Sequence, residues 1–189
     1  MKLLHTHMDL VDIVNNLINN EKPEFDGKPL FVYEVKVLDN LEHMSAYKNT
    51  QLSFPISNEK LLYHGAPLEN IESIILDNFN ITEALKGMGG HIGQGIYFSD
   101  MAEQSIYYCL KNEYTGDETD FIILVCKVEL GRCCNRIRSD FDTNCAKFDN
   151  YDSHSTPYHQ GNKFGHEYCV FDSNQILPVC RLHLKLSGT

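Results

Sequence analysis

The sequence feature that most constrains the fold is one glycine-rich stretch, residues 89–109, which reads GGHIGQGIYFSDMAEQSIYYC. Four glycines within seven positions allow tight turns or a close approach of the backbone to a flat ligand. The apolar run at 96–98 that follows predicts a short strand. A helix is then expected over 101–110, with Asp100 as its N-cap and Glu103 completing a capping box.

Two hydroxyl-bearing side chains share one face of this predicted helix. Ser105 and Tyr108 are three residues apart, so they point from the same side of the helix. Tyr97 leaves the preceding strand near that side. Two aromatic faces with a hydroxyl between them suit a flat aromatic ring that carries an amide. Taken alone, the stretch is also typical of ordinary core packing.

Two further segments flank this stretch, LLYHGA at 61–66 and HEYCVFD at 166–172. Together the three segments resemble the catalytic domain of poly(ADP-ribose) polymerases, a family of diphtheria-toxin-like ADP-ribosyltransferases. In that family a His-Gly pair ends one strand, a Gly-x-Tyr-Phe strand precedes a helix with Ser and Tyr, and a late strand opens with the catalytic Glu, so Glu167 is expected at the start of a strand. The resemblance covers roughly residues 30–186, and three motifs in this order are more specific than any one of them.

The resemblance implies a catalytic His-Tyr-Glu set at His64, Tyr97 and Glu167. It implies NAD⁺ as the substrate, with no metal, and an NAD-binding set consisting of His64, Gly65, Tyr97, Ser105 and Tyr108. In the family arrangement the two tyrosines sandwich the nicotinamide ring, Gly65 and Ser105 hold its amide, and His64 contacts the adenosine ribose. Glu167 would hold the nicotinamide ribose and stabilise the positive charge that develops as the glycosidic bond breaks.

The implied activity is transfer of ADP-ribose from NAD⁺ to an acceptor, with release of nicotinamide. The expected acceptor is protein, including the chain itself. The intact His-Tyr-Glu set is compatible with poly(ADP-ribosyl)ation, because family members that lack the Glu are confined to mono transfer. Two alternatives stay open, namely mono(ADP-ribosyl) transfer and a non-catalytic module that binds NAD or ADP-ribose.

The resemblance also implies an α+β fold of two packed, mostly antiparallel sheets with flanking helices. We expect a single domain overall, because 189 residues suffice for one sizeable core. Within it, residues 1–29 would form an N-terminal helix and turn, and residues 30–189 the ADP-ribosyltransferase catalytic domain. The N-terminal helix is expected from Thr6, with an apolar stripe formed by Leu10, Val11, Val14, Leu17 and Ile18.

Several local patterns predict the remaining elements. Residues 26–29 read as a turn, and the alternation that follows predicts a half-buried strand with Phe31, Tyr33, Val35 and Val37 facing inward. The nearly continuous apolar run at 121–128 predicts a central strand buried on both faces. A second loop is expected at 151–163. Pro67 should open a helix with four inward-facing residues, namely Leu68, Ile71, Ile74 and Ile75.

Composition bears mainly on partners and compartment. The net charge is −10 and no basic run occurs, which argues against direct binding of nucleic acid. No apolar run is long enough to cross a membrane, and no signal peptide is recognisable. Seven irregularly spaced cysteines then predict free thiols in an intracellular compartment, cytoplasmic or nuclear. Cys133, Cys134 and Cys145 contain no CxxC pair, which argues against a zinc site.

Overall fold

The computed structural model describes residues 7–84, 90–110, 120–142, 145–160 and 163–187. Five α-helices lie in these ranges, namely α1 (His7–Glu21), α2 (Leu41–Ser53), α3 (Leu68–Asp77), α4 (Ile81–Ala84) and α5 (Ala102–Tyr107). The strands in these ranges are β1 (Glu24–Phe25), β2 (Lys28–Val37), β3 (Glu59–Gly65), β4 (Ile96–Ser99), β5 (Asp120–Glu129), β6 (Cys133–Asn135), β7 (Ser153–Gln160), β8 (Lys163–Val170) and β9 (Ile176–Leu186). None of the described helices is long and apolar enough to cross a membrane.

Backbone hydrogen bonds join the described strands in the order β1-β2-β9-β5-β3-β4-β8-β7-β6. All neighbours are antiparallel except β6 and β7, and helices flank the sheet, so the α+β prediction is confirmed. The strands form one continuous sheet in place of the two expected sheets. A single register pair, Tyr63 with Ser99, links β3 to β4. We call this link the seam, because it divides the sheet into a first half (β1, β2, β9, β5, β3) and a second half (β4, β8, β7, β6).

The N-terminal segment packs on the first half of the sheet. Leu10, Val14 and Ile18 of α1 are buried in the same core as residues of β5 and β9, as the apolar stripe predicts. A two-residue turn then joins β1 to β2, with φ of 51° at Asp26 and 70° at Gly27. Two consecutive positive φ values are characteristic of the Asp-Gly hairpin turn. The predicted helix start at Thr6 lies outside the described residues, and the expected start of the catalytic domain at residue 30 stays a prediction.

Strand β2 departs from the expected alternation in its first half. Its pairing with β9 skips Tyr33, because Val32 is opposite Leu184 whereas Glu34 is opposite His183. Such a bulge moves the residues before it to the opposite face of the sheet. As a result Phe31 and Tyr33 are exposed, and the prediction that they face inward is wrong. Beyond the bulge, Val35 and Val37 pack against the core as predicted.

Two expected helix starts also differ in the structure. Pro67 is the N-cap of α3 and precedes its first helical residue, and Leu68 is exposed while Ile71 is fully buried. Helix α5 begins at Ala102, with Met101 as its N-cap, and a 3₁₀ turn over Tyr108–Leu110 follows it. The predicted single helix over 101–110 is therefore shorter and tightens at its end.

The expected capping box of α5 does not form, because both acidic residues are used in tertiary contacts. Asp100 accepts hydrogen bonds from the His166 amide at 2.6 Å and the Tyr168 hydroxyl at 3.2 Å. Glu103 accepts one from the Glu24 amide at 2.6 Å and pairs with Lys163. The free amide of Ala102 at the helix start donates instead to the Glu21 carboxylate of α1, at 3.1 Å. Helix α5 is thus fixed by distant parts of the chain.

Most of the segment at 151–163, expected to be a loop, forms strand β7. It pairs with β8 from Ser153 opposite Val170 to Gln160 opposite Lys163. The sequence SHSTPYHQ has few apolar residues, so local propensity favours a loop. Pairing on both sides, with β8 and with β6, overrides that preference. The run at 121–128 is confirmed as part of a central strand, since β5 lies between β9 and β3.

Candidate active site

A cleft opens at the seam between the two halves of the sheet. Strands β3, β4 and β8 and helix α5 supply its walls. The structure brings together all six residues predicted for the site, since the cleft is lined by His64, Gly65, Tyr97, Ser105, Tyr108 and Glu167. Four further residues complete the lining, namely Tyr63, Phe98, Ser99 and Gln104.

His64 is the second-to-last residue of β3, and a hydrogen bond fixes its ring across the seam. Its Nδ1 lies 2.8 Å from the Tyr97 carbonyl oxygen. Because a carbonyl only accepts, Nδ1 carries the proton and Nε2 keeps its lone pair. Burial lowers the pKa of His64 to about 4, so the ring is neutral at physiological pH. His64 can therefore accept a hydrogen bond from a ligand hydroxyl through Nε2.

Residue 65 must be a glycine because α5 packs closely against it. A β-carbon at this position would lie 1.7 Å from the Ser105 carbonyl oxygen, which no side chain can tolerate. The absence of a side chain lets the first turns of α5 sit directly against the end of β3. This contact explains why the two residues predicted to hold one amide lie side by side.

The two predicted stacking tyrosines are held differently. The Tyr97 hydroxyl donates to the Gly93 carbonyl at 2.7 Å and accepts from the Ile92 amide at 3.0 Å. These two hydrogen bonds hold Tyr97 against the glycine-rich loop, residues 90–94. Tyr108 lies at the end of α5, where about half of its side chain is exposed at the mouth of the cleft. Burial and the nearby Glu167 carboxylate raise the pKa of Tyr108, so its hydroxyl stays protonated.

Glu167 lies within β8, opposite Ser99 of β4 and Thr156 of β7. The prediction that it begins the strand is wrong, because pairing with β7 extends β8 by four residues before Glu167. Its side chain is only 5% exposed, and one carboxylate oxygen accepts a hydrogen bond from Gln104 Nε2 at 3.2 Å. Burial raises the pKa of Glu167, and the positive charge of Arg138 opposes part of that rise. The ionised form therefore lies in an environment that disfavours it, which strengthens its attraction to a developing positive charge.

Sequence analysis missed Gln104, which contacts Glu167 directly. Gln104 is only 4% exposed, and its Oε1 has no hydrogen-bond partner among the residues that the structure describes. Its position beside Ser105 on the predicted helix was the available signal, but a glutamine in a helix is usually a surface residue. Arg138, the first residue of a short 3₁₀ helix, was missed as well, because a lone basic residue carries no pattern.

In the described ranges no three His, Cys, Asp or Glu side chains come close enough together to hold a metal ion. The seven cysteines all lie in those ranges, and every one is a free thiol. Cys133 donates instead to the Ser155 hydroxyl at 3.3 Å.

The chain matches the model of a known protein family over most of its length. The family model described as poly(ADP-ribose) polymerase catalytic domain matches residues 9–163. The chain belongs to this family. This match confirms the family that the motifs imply. The matched segment contains the five predicted NAD-binding residues and ends before Glu167, so the position of that carboxylate rests on the cleft geometry.

One curated protein shares part of the sequence. Protein mono-ADP-ribosyltransferase PARP4 of Mus musculus is 42% identical over 52 residues, which is 28% of this chain. The matched segment spans only 2% of that mouse protein. The similarity supports membership of the poly(ADP-ribose) polymerase family and leaves the number of transferred units undecided.

The arrangement of the cleft suits cleavage of a glycosidic bond to a positively charged leaving group. It offers an aromatic wall at Tyr97, a second ring at Tyr108 and a buried carboxylate at Glu167. A carboxylate held close to a sugar carbon stabilises an oxocarbenium-like transition state. The hydrogen bonds to Glu167 and Tyr97 fix these groups before a substrate binds, so little reorganisation is needed.

Proposed function

We propose that this chain binds NAD⁺ in the cleft at the seam and transfers its ADP-ribose to a protein acceptor. One observation carries the proposal, namely that Glu167 lines the same cleft as the five predicted NAD-binding residues. The nicotinamide ring lies between Tyr97 and Tyr108, while Gly65 and Ser105 bind its amide. His64 accepts a hydrogen bond from the adenosine ribose through Nε2, the nitrogen that its contact with Tyr97 leaves unprotonated.

The reaction breaks the bond between the nicotinamide nitrogen and ribose C1′. The electron pair of that bond leaves with nicotinamide, which becomes neutral, and positive charge develops on the ribose. Glu167 stabilises that charge and hydrogen-bonds the 2′-hydroxyl. An acceptor oxygen or nitrogen then forms the new bond to C1′ and loses its proton to Glu167 or to solvent. Positioning and electrostatics supply the rate acceleration.

Transfer of a single unit is the form that we favour, because the mouse relative is named a mono-ADP-ribosyltransferase. Chain extension is the second candidate, since a carboxylate such as that of Glu167 can also polarise the hydroxyl of an acceptor ribose. Automodification fits either case. An intracellular compartment, cytoplasmic or nuclear, stays a prediction, and the seven free thiols support it.

The test is incubation of the purified chain with NAD⁺ labelled on the adenine side, followed by a denaturing gel. Glu167→Gln is the matched control, because it keeps the shape of the side chain and removes its charge. One sharp labelled band on the wild type alone is the expected result. A ladder on the wild type would replace mono transfer by polymer formation.

Two outcomes would overturn the proposal. Equal labelling of the wild type and the Glu167→Gln variant would show that Glu167 is not the catalytic carboxylate. No label on either protein, with NAD⁺ still protecting the chain against thermal unfolding, would identify a non-catalytic NAD-binding module. Nicotinamide release, measured in the same samples, distinguishes a missing acceptor from an inactive site.

A further inference from the structure

His154 occupies the centre of the second half of the sheet, away from the cleft lining, and both of its ring nitrogens are hydrogen-bonded. It lies on β7 and is 0% exposed. Its Nε2 accepts from the Phe148 amide at 3.1 Å, and its Nδ1 lies 2.6 Å from the Ile92 carbonyl oxygen. The amide must donate and the carbonyl must accept, so the ring is a neutral imidazole with its proton on Nδ1. His154 therefore joins two loops through one defined tautomer.

The first of these loops is the glycine-rich loop, residues 90–94, and it also holds Tyr97. Ile92 offers its carbonyl to His154 and its amide to the Tyr97 hydroxyl, at 3.0 Å. The same hydroxyl donates to the Gly93 carbonyl at 2.7 Å. A continuous chain of hydrogen bonds thus runs from His154 through Ile92 to the tip of Tyr97.

Packing leaves this chain of hydrogen bonds little freedom. Three phenylalanine rings surround the His154 ring at centroid distances of 5.2, 4.4 and 4.8 Å, namely Phe141, Phe148 and Phe171. Gly93 has a φ of 141°, and a β-carbon there would lie 2.8 Å from Phe171 and 3.2 Å from His154 Nδ1. The loop can thus approach the ring closely only because residue 93 is glycine.

The charges around the ring agree with the neutral form. Burial and the positive charges of Arg136 and Lys147 lower the pKa of His154, while its hydrogen bond to Ile92 opposes part of that fall. Arg136 also stacks on the Phe148 ring, 5.1 Å from its centre. A protonated ring would place an N–H against the Phe148 amide, where no acceptor exists.

We propose that His154 is a positioning residue for NAD⁺, which fixes the glycine-rich loop and through Ile92 orients the Tyr97 ring against nicotinamide. This inference rests on the proposed function, because it assigns Tyr97 to the nicotinamide site. His154 itself lies behind the loop and touches no substrate. Its effect should therefore fall on NAD⁺ affinity, while the chemical step keeps its rate.

Two variants separate the hydrogen bonds of His154 from the volume of its ring. His154→Phe keeps a ring of similar size and removes both bonds. His154→Asn places an amide nitrogen near the former Nδ1 and can keep the bond to Ile92. His159→Phe is the matched control, because His159 is an exposed histidine on the same strand.

We expect His154→Phe to raise the KM for NAD⁺ about tenfold, as loss of a buried hydrogen bond predicts, with kcat changed by less than about threefold. His154→Asn should recover most of that loss, and His159→Phe should match the wild type. A fall in kcat with unchanged KM, or no recovery in His154→Asn, would overturn the inference. If His154→Phe does not fold, the comparison of His154→Asn with His154→Ala provides the same test.

A double-mutant cycle tests whether His154 acts through Tyr97. Tyr97→Phe removes the hydroxyl that receives the Ile92 amide. If the two residues act through one loop, the double variant should raise KM little more than the larger single change. Multiplying effects would show that His154 acts elsewhere and would overturn the inference.

Hydrogen exchange at the Ile92 amide separates failure of this inference from failure of the proposed function. This readout needs no catalysis. Faster exchange in His154→Phe, together with weaker NAD⁺ binding by calorimetry, supports the positioning role even if no transfer product forms. Unchanged exchange and binding in that variant would overturn the positioning role even in an active enzyme.

Discussion

The two halves of the sheet are built on different principles. In the first half, the central strands β5 and β9 bury almost only apolar side chains, including Ile123, Leu124, Leu182 and Leu184. In the second half, the buried side chains are divided between apolar residues such as Ile96, Phe98 and Val170 and a polar set. That polar set consists of Ser99, Ser153, His154, Ser155, Thr156 and Glu167. The cleft lies where the two halves meet, so the first half supplies His64 and Gly65 and the second half supplies the buried carboxylate of Glu167.

This difference shows how stability and chemistry are divided within one sheet. Apolar burial is non-directional, so the first half gains stability from any well-packed set of side chains. Burying a polar group costs free energy unless a specific partner is present, and Ser153 has such a partner because it donates to the Leu130 carbonyl at 2.7 Å. Substitutions in the second half should therefore change function more than stability, and those in the first half the reverse.

The largest effect is expected for Glu167→Gln in the second half. Turnover should fall on the order of a hundredfold or more, because a charge that acts mainly in the transition state is removed, while the Kd for NAD⁺ changes only a few fold. Burial raises the pKa of Glu167 above its unfolded value, so ionisation costs folding free energy at neutral pH. We therefore expect the Tm to stay equal or to rise, and a marked fall in Tm would contradict this account of the second half.

The next effect is expected for Leu182→Ala in the first half. Leu182 is fully buried on β9, so the free energy of unfolding should fall by about 3 kcal/mol. The activity per folded molecule should be unchanged in assays below the new Tm. Leu76→Ala is the control, because Leu76 is exposed on α3 and should alter stability by less than about 0.5 kcal/mol. A large loss of turnover in the folded Leu182→Ala protein would blur the division between the halves.

Low pH should reduce the stability of the folded protein through His64, which lies at the seam. The folded-state pKa of His64 is about 4, below its unfolded value of 6.5. Between these values the unfolded chain binds more protons, so stability is present above pH 6.5 and is lost as pH falls towards 4. We expect this one residue to account for about 2 kcal/mol of that loss, allowing for its partial exposure. The free energy of unfolding, measured with denaturant at pH 7 and at pH 5, should fall more for the wild type than for His64→Asn. Equal falls in the two proteins would contradict this prediction.

The smallest effect is expected at the mouth of the cleft. Tyr108→Ala should weaken nicotinamide binding by about 1 kcal/mol, the usual strength of one aromatic stacking contact. Its neighbour Tyr107 is similarly exposed but packs on Phe25, with ring centres 5.0 Å apart. Tyr107→Ala is therefore a matched control that should leave nicotinamide affinity unchanged. Equal affinity in all three proteins, measured by calorimetry, would place the nicotinamide ring elsewhere.

Sequence reasoning succeeded best where one local cause acts alone. The apolar stripe of α1, the Asp-Gly turn and the apolar run of β5 each reflect a single preference that the tertiary structure leaves in place. The three motifs of the cleft were also found, because their order along the chain is informative. The roles of the six site residues stay predictions until the variants are measured.

The sequence-based predictions that were wrong failed because tertiary contacts overrode local preferences. Residues Phe31 and Tyr33 change face because a bulge in the pairing with β9 adds one residue to β2. Asp100 leaves the start of α5 because the His166 amide and the Tyr168 hydroxyl compete for its carboxylate. Strand β7 forms from a polar segment because its neighbours offer backbone partners on both sides.

The sequence by itself determined the family, the fold class and the six residues of the cleft, because these depend on motif order and on local preferences that survive folding. Only the tertiary structure decided the seam, the contact of Gln104 with Glu167 and the link from His154 to Tyr97. Those features depend on which donors and acceptors meet across long separations in the chain, such as the 62 residues between Ile92 and His154. The pattern of neighbouring residues in the sequence does not indicate which of these long-range contacts form.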